Sequence, residues 1–238
     1  MPKRLVIAIA ALFGIALTAS LGFWQWGRGQ QRTALQEEIA ARGNAAPVGV
    51  RELLEAPDGD ARLLHRAVVL RGAWLAERTV FLDNRQMNAF PGFYVVTPLR
   101  LEGSQAVVLV QRGWAARNFE RRESLPPVQT PAGTVEVRGR LAPPPAKLYA
   151  FAAQEQGAIR QNLDLAAFRA ETGLPLLALS VQQAGPPSEG LLRQWPQAGS
   201  GAGKNYGYAF QWWAMATLIA ILYGWFQFVV PRRQAQRP

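Results

Sequence analysis

Few side chains in this 238-residue chain could carry out chemistry. It has no cysteine and a single histidine, His65. The lack of cysteine excludes disulfides, thiolate nucleophiles, iron–sulfur clusters and cysteine-type zinc sites, and one imidazole cannot build a His-rich metal centre. A Ser-His-acid set could form only through His65, and the sequence contains no Gly-x-Ser-x-Gly elbow. We therefore expect no catalytic residues, no metal site and no enzymatic activity. The weaker alternative is a membrane-anchored periplasmic enzyme acting on lipid or peptide.

The polar groups best suited to binding lie beside aromatic residues at the ends of two apolar segments. Rings with one polar edge prefer the headgroup layer of a membrane, so a membrane-anchoring belt is the simplest interpretation. Each belt also carries a carboxamide, and the two carboxamides could hydrogen-bond each other, or a ligand or partner at the membrane surface. The six residues of this predicted rim are Trp24, Gln25, Arg28, Tyr208, Gln211 and Trp212.

The two apolar segments are long enough to cross a membrane. Residues 5–27 and 205–230 contain no charged residue, and about 20 apolar residues span a hydrocarbon layer roughly 30 Å thick. We predict transmembrane helices over residues 5–26 and 208–230, with a separate domain over residues 28–204. In both segments small residues recur at every fourth position, a spacing that lets helices pack closely in lipid. The first stripe is Ala10, Gly14, Thr18 and Gly22; the second is Ala216, Ala220 and Gly224, with the large Trp212 at the same spacing before them.

Basic residues flank both segments and predict the orientation. Lys3 and Arg4 precede the first segment, and Arg232, Arg233 and Arg237 follow the second. Because short basic flanks stay in the cytoplasm, we expect both termini there and the central domain in the periplasm of a bacterial inner membrane. The first segment is longer than the roughly 7–15-residue core of a signal peptide, so we expect an uncleaved anchor. These five residues supply half of the net charge of +10, which argues against a nucleic-acid partner.

The central region has the pattern of a β-rich domain with minor helices. Residues 29–42 predict a polar helix that continues from the first segment. Short runs rich in branched and aromatic residues predict strands over 67–72, 79–83, 93–97, 106–110, 134–138 and 176–181. Residues 165–172 predict a short helix capped by Asp164 and ended by Gly173. The predicted fold class is therefore an α+β membrane protein, in which two transmembrane helices flank an antiparallel, partly barrel-like β domain.

Several strings, in this order between the two apolar segments, together resemble one known family. Each string alone is short, but their order and spacing extend from about residue 20 to residue 230. On this basis the chain resembles the Surfeit-locus (SURF/Shy) family of cytochrome oxidase assembly factors. The strings are Gly22-Phe23-Trp24-Gln25, His65-Arg66, Asp83-Asn84-Arg85, Gln111-Arg112-Gly113-Trp114, Asn162-Leu163-Asp164 and Tyr208-Ala209-Phe210-Gln211-Trp212.

The resemblance implies a non-enzymatic assembly factor of haem–copper cytochrome c oxidase. Its expected partners are the lipid bilayer and the catalytic subunit of the oxidase, on which it would act while haem A is installed. A narrower alternative is a haem A carrier that holds the cofactor transiently. In this family a histidine usually stands where this chain has Asn205, and an asparagine where it has Gln111.

Three side chains follow from this comparison as candidates for contact with haem. Because Asn205 cannot ligate iron, the one imidazole, His65, is the candidate axial ligand, although a strand-end histidine without a ligand role is the simpler interpretation. Arg85 and Arg112 could bind haem propionates through their guanidinium forks. Alternatively, these two arginines pair with acids of the domain such as Asp83.

Overall fold

The computed structural model describes residues 2–118, 125–148, 157–196, 199 and 201–235. The chain divides into two compact units. The first comprises Met1–Glu38 and Gln197–Pro238, and the second comprises Ile39–Pro196. Arg237, which we predicted to flank the second apolar segment, lies outside the described residues.

In the sequence, a central run of strands lies between two long helices, one near each end of the chain. Two short 3-10 turns, Ala61–Leu63 and Ala76–Arg78, flank the first strand. The elements in chain order are α1 (Pro2–Gly43), α2 (Val50–Leu54), β1 (Ala67–Trp74), β2 (Val80–Met87), β3 (Phe90–Leu101), β4 (Val107–Ala116), β5 (Thr134–Ala142), β6 (Ile159–Arg160), α3 (Leu165–Thr172), β7 (Leu176–Gln183), α4 (Ala202–Gly224) and α5 (Val230–Ala235).

Two helical stretches, Lys3–Gly43 and Ala202–Arg232, are long and apolar enough to cross a membrane. The predicted polar extension of the first helix is confirmed, because α1 continues without a break to Gly43. A π-helical turn, Trp225–Val229, joins α4 to α5. Pro231 follows this turn and explains it, because a proline has no N–H and its ring crowds the carbonyl four residues earlier, here that of Gln227.

The strands of the second unit close into a five-stranded barrel. Neighbouring strands follow the order β1-β5-β7-β4-β3, and β3 pairs back onto β1. Strand β3 is long enough to pair with two strands along the same edge. Its first half pairs with β2, and its last residues, from Leu99 to Leu101, pair with β1. The short strand β6 extends the sheet beyond β2.

The predicted antiparallel sheet is wrong in one respect, since the sheet is mixed. Strand β4 pairs with β7 in parallel, and β2 pairs with β6 in parallel. Parallel neighbours need a crossover connection, and here the chain between β4 and β7 contains β5, β6 and α3. Because the sequence pattern of a strand does not encode its direction relative to a distant strand, the prediction could not distinguish the two arrangements.

The barrel interior is filled by branched side chains, including the fully buried Leu70, Leu99 and Leu141. Helix α3 covers a second apolar cluster and buries Phe168. Its predicted ends are confirmed: Asp164 accepts a hydrogen bond from the Ala167 N–H at 3.0 Å, and Gly173 ends the helix in the left-handed conformation.

Candidate functional site

Two glycines on α1 allow aromatic residues of α4 to approach its backbone. A Cβ atom placed on Gly22 would overlap the indole of Trp213, and one on Gly29 would lie 2.6 Å from Tyr206 Cε1. Trp26 packs between these two rings, with centroid distances of 4.8 Å to Tyr206 and 5.8 Å to Trp213. We call these five residues the helix-pair cluster. Such close approach over small residues is how helices associate in lipid.

The contact face matches the predicted small-residue stripes only in part. On α1, Gly14, Thr18 and Gly22 do face α4, as predicted, whereas Ala10 is exposed. On α4 the predicted stripe is wrong in part, because Ala220 is exposed and the buried small residues are Ala209 and Ala216. Large rings seated over glycines, rather than small residues on both helices, set the packing, and the four-residue spacing could not reveal this.

Polar contacts accompany the ring packing, and they correct one sequence-based expectation. Gln25 does not pair with Gln211, which is exposed. Instead, Asn205 Nδ2 donates a hydrogen bond to Gln25 Oε1 at 2.7 Å. The hydroxyls of Thr33 and Tyr206 also lie 3.1 Å apart, within hydrogen-bonding distance. Asn205 therefore joins α4 to α1 through its hydrogen bond to Gln25.

The other residues of the predicted rim face away from this contact. Trp24 and Tyr208 are 59% and 54% exposed, Arg28 and Gln211 are exposed, and Trp212 is half-buried. Of the six, Gln25 alone has a described contact across the helix pair. Sequence reasoning missed Asn205 and Trp213 as contact residues. The seven-residue spacing of Gly22 and Gly29 was the available signal for a closely packed face.

The carboxamides of this helix pair do not fit an axial haem ligand. Haem iron is held by imidazole, thiolate, thioether or phenolate groups, and Asn205 and Gln25 offer only amides that bond each other. The phenol of Tyr206 pairs with Thr33. The exposed Tyr208 and Met215 stand on the surface of α4 without a second ligand beside them among the described residues. No ligated haem site is therefore supported in the described part of the helix pair.

His65 lies in the second unit, immediately before β1. Its backbone adopts the left-handed region, with φ of 69°, and its N–H donates to the Leu141 carbonyl at 2.8 Å. The side chain is half-buried. Among the described residues, no group of three or more histidine and acidic side chains could hold a metal ion.

A β-bulge in β2 turns Arg85 into the protein. The pairing of β2 with β3 shifts between Leu82 and Arg85, so that Asp83 and Asn84 together face one residue of β3. Asn84 takes the left-handed conformation, with φ of 57°, which asparagine tolerates better than most residues. A bulge of this kind re-aims the side chains that follow it, and Arg85 is 6% exposed as a result.

Strand β4 holds this bulge in place through Trp114. The indole lies against Gly92, where a Cβ atom would come within 2.6 Å of Trp114 Cε2. Its Nε1 donates to the Arg85 carbonyl at 2.9 Å. Two of the strings singled out in the sequence therefore meet here, since Asp83-Asn84-Arg85 and Gln111-Arg112-Gly113-Trp114 converge on Gly92.

The groups that contact Arg85 in the described part of the chain are neutral. Its Nη2 donates to the Gln161 carbonyl at 3.0 Å, and its guanidinium carbon lies 5.8 Å from the centre of the Tyr94 ring. Trp195 packs edge-on against Tyr94, at a centroid distance of 5.1 Å. Asp83, two positions before Arg85 in the sequence, pairs with Arg117 and not with Arg85. Burial lowers the pKa of Arg85 and raises the pKa of Tyr94.

Arg112, by contrast, is paired with a carboxylate. It is fully buried, and its Nη2 lies 3.0 Å from Glu189 Oε2. Its guanidinium also donates to Thr130 Oγ1 at 2.7 Å and to the Gln129 carbonyl at 2.6 Å, and it stacks 4.7 Å from the Trp74 ring. Its Nε is buried without a hydrogen-bond partner among the described residues, but the acid and the acceptors on its other two nitrogens describe a structural ion pair.

Comparison with known proteins gives one consistent result. Residues 12–217 match the SURF1 family. A SURF1-like protein of Drosophila melanogaster is 28% identical over 177 residues, which cover 66% of this chain and 56% of that protein. A SURF1-like protein of Rickettsia prowazekii (strain Madrid E) is 28% identical over 100 residues, which cover 41% of this chain and 38% of that protein.

A third relative is a plant protein. Surfeit locus protein 1 of Arabidopsis thaliana is 29% identical over 118 residues, covering 45% of this chain and 33% of the plant protein. The aligned regions thus cover between 33% and 56% of the length of these three relatives. The family match nevertheless runs from within α1 to within α4 and includes every strand of the barrel. This chain therefore belongs to the SURF1 family.

Proposed function

We propose that this chain is a membrane-anchored assembly factor for haem–copper cytochrome c oxidase, acting on the catalytic subunit while haem A is installed. A family match that covers the whole barrel and part of each apolar helix is the observation that carries this proposal. The proposed role is non-enzymatic, consistent with the absence of cysteine and the single histidine in the sequence.

The architecture of the helix pair supports a docking role. Its inner face is closed by the helix-pair cluster and by the Asn205–Gln25 bond. Its outer face keeps large rings exposed, with Trp24 and Phe210 at 59% and 71%. In a bilayer these rings contact lipid or the transmembrane helices of a partner. A closely packed helix pair with an aromatic outer face is suited to holding a client subunit at the membrane surface.

The proposed location is the bacterial inner membrane, with both termini in the cytoplasm and the barrel in the periplasm. The absence of native cysteine allows a direct test. In whole cells, a membrane-impermeant maleimide should label Glu102→Cys, in the turn after β3, and should leave Arg4→Cys unlabelled until the cells are opened. The reverse labelling pattern would contradict this topology and with it the docking geometry.

The function is tested by deleting the gene in the bacterium that encodes it. We expect lower cytochrome c oxidase activity and a weaker haem a band in the membranes, with both restored by the wild-type gene. Complementation with Trp24→Ala and Phe210→Ala together should restore less oxidase than complementation with Phe13→Ala, an equally exposed ring elsewhere on α1. Normal oxidase content in the deletion strain would refute the assembly role.

Two further measurements separate this role from a carrier and from an enzyme. Protein purified from cells that make haem A should show no ligated haem spectrum, because the helix pair offers amides where an imidazole is required. A stoichiometric haem spectrum would favour the carrier instead. Complementation by His65→Ala should match the wild type, whereas loss of function in a folded His65→Ala protein would favour an enzyme or an axial-ligand role.

A further inference from the structure

Three arginines of the barrel unit are more than nine-tenths buried in the described part of the chain, and two of them have a carboxylate partner. Arg112 pairs with Glu189, and Arg160 makes two hydrogen bonds of 2.8 Å to Glu171. Arg85 is as buried as Arg160, at 6% exposure, yet makes no ion pair with any acid among the described residues. Burying a guanidinium without a counter-charge is unfavourable, so such a residue calls for an explanation.

The fold maintains this unpaired charge through several contacts. The bulge at Asp83–Asn84 aims Arg85 inward, and Trp114 fixes its backbone by a hydrogen bond of 2.9 Å to its carbonyl. Asp83, which could have neutralised Arg85, is bound by Arg117. One neutral acceptor, the Gln161 carbonyl, receives a hydrogen bond from Nη2. Arg85 Nε is buried and has no hydrogen-bond partner among the described residues. The same is true of Arg112 Nε and Arg117 Nε, so the lack of a carboxylate is what distinguishes Arg85.

The wall beside the guanidinium is aromatic. The Tyr94 ring lies under Arg85, and Trp195 packs edge-on against that ring. Both aromatic side chains are half-buried, so their outer parts are accessible. The Trp195 indole is oriented by a hydrogen bond of 2.8 Å from its Nε1 to the Gln183 carbonyl. A cation with unused donors beside an aromatic wall is complementary to an anion attached to an apolar body.

We infer that Arg85 binds the carboxylate of an apolar ligand, with Tyr94 and Trp195 contacting the apolar part of that ligand. A guanidinium fork binds the two oxygens of a carboxylate in parallel hydrogen bonds, which supply the missing counter-charge. This site is independent of the proposed oxidase function, because it depends only on the contacts of Arg85, Tyr94 and Trp195.

The test uses the full-length protein in detergent, titrated by calorimetry with 3-phenylpropanoate. Its neutral analogue 3-phenylpropanamide and inorganic phosphate are the comparison probes. We expect binding of the carboxylate and at least tenfold weaker binding of the amide. Arg85→Gln should weaken carboxylate binding at least tenfold, and Trp195→Leu should weaken 3-phenylpropanoate more than acetate. Arg71→Gln, which removes an exposed arginine of β1, is the matched control and should bind as the wild type does.

A stability measurement separates a binding site from a structural role. If Arg85 is kept for a ligand, Arg85→Met should melt at the same temperature as the wild type or higher, since it removes an unpaired buried charge. It should also lose the rise in Tm that 3-phenylpropanoate gives to the wild type. Any of four results would overturn the inference. In calorimetry these are unchanged carboxylate binding by Arg85→Gln, equal binding of the amide, or tighter binding of phosphate. In the melting experiment it is a large loss of Tm in Arg85→Met.

Discussion

Replacing Arg112 by methionine should destabilise the barrel unit strongly. The guanidinium is fully buried and bonds Glu189, Thr130 and the Gln129 carbonyl. Removing one partner of a buried ion pair costs about 3–5 kcal/mol. Because Glu189 keeps Arg193 at 3.1 Å, its charge is not left alone, and we expect the lower end of this range, about 3 kcal/mol. For a domain of this size such a loss lowers Tm by about 6–12 °C.

The assay is chemical denaturation of the detergent-solubilised protein, followed by near-ultraviolet circular dichroism of the barrel tryptophans. Arg71→Met is the control, because its pair with Glu102 is exposed and spans 3.5 Å. Exposed pairs of this kind contribute about 0–1 kcal/mol. Equal stability of Arg112→Met and Arg71→Met would show that the buried ion pair does not hold the barrel together.

Three other predictions concern the helix pair and the acid stability of the barrel. Gly22→Ala should lower Tm in detergent because its methyl group overlaps an indole of α4, whereas Gly27→Ala, which meets no atom within 4 Å, should not; equal melting of the two would contradict the packing. A double-mutant cycle on Gln25→Ala and Asn205→Ala should give a coupling of about 0.5–1.5 kcal/mol, and additive effects would mean that their hydrogen bond contributes nothing. Hydrogen bonds from an arginine of β6 lower the pKa of Glu171 in the folded protein. The ionised Glu171 therefore stabilises the fold fully above its ordinary pKa of 4.5, and this stabilisation is lost as the pH falls through the lower pKa of the folded state. In Glu171→Gln the free energy of unfolding should therefore fall less steeply as the pH is lowered. An unchanged slope would show that ionisation of Glu171 does not contribute to stability.

Local features of the fold could be predicted from the sequence. The cap at Asp164 and the stop at Gly173 follow from side-chain and backbone preferences of single residues. The two apolar helices follow from length and composition. In each case the relevant interaction joins residues within one or two turns, so the pattern lies within a short window.

Features that depend on distant residues could not be predicted in this way. Gln25 and Asn205 are 180 positions apart, and nothing in either neighbourhood identifies the other as its partner. The parallel pairing of β4 with β7 depends on the path of the intervening chain. The inward turn of Arg85 depends on a bulge that Trp114 holds from another strand. Pairing with an acid such as Asp83 was one of two alternatives for Arg85, and only the fold assigns Asp83 to Arg117.

The most direct test of the proposed assembly role is the haem a content of the oxidase made without this protein. Catalytic subunit purified from the deletion strain should contain less haem a per polypeptide than subunit from the wild type, and a plasmid copy of the gene should restore the ratio. A catalytic subunit that is fully loaded with haem a in the deletion strain would contradict a role in haem A installation.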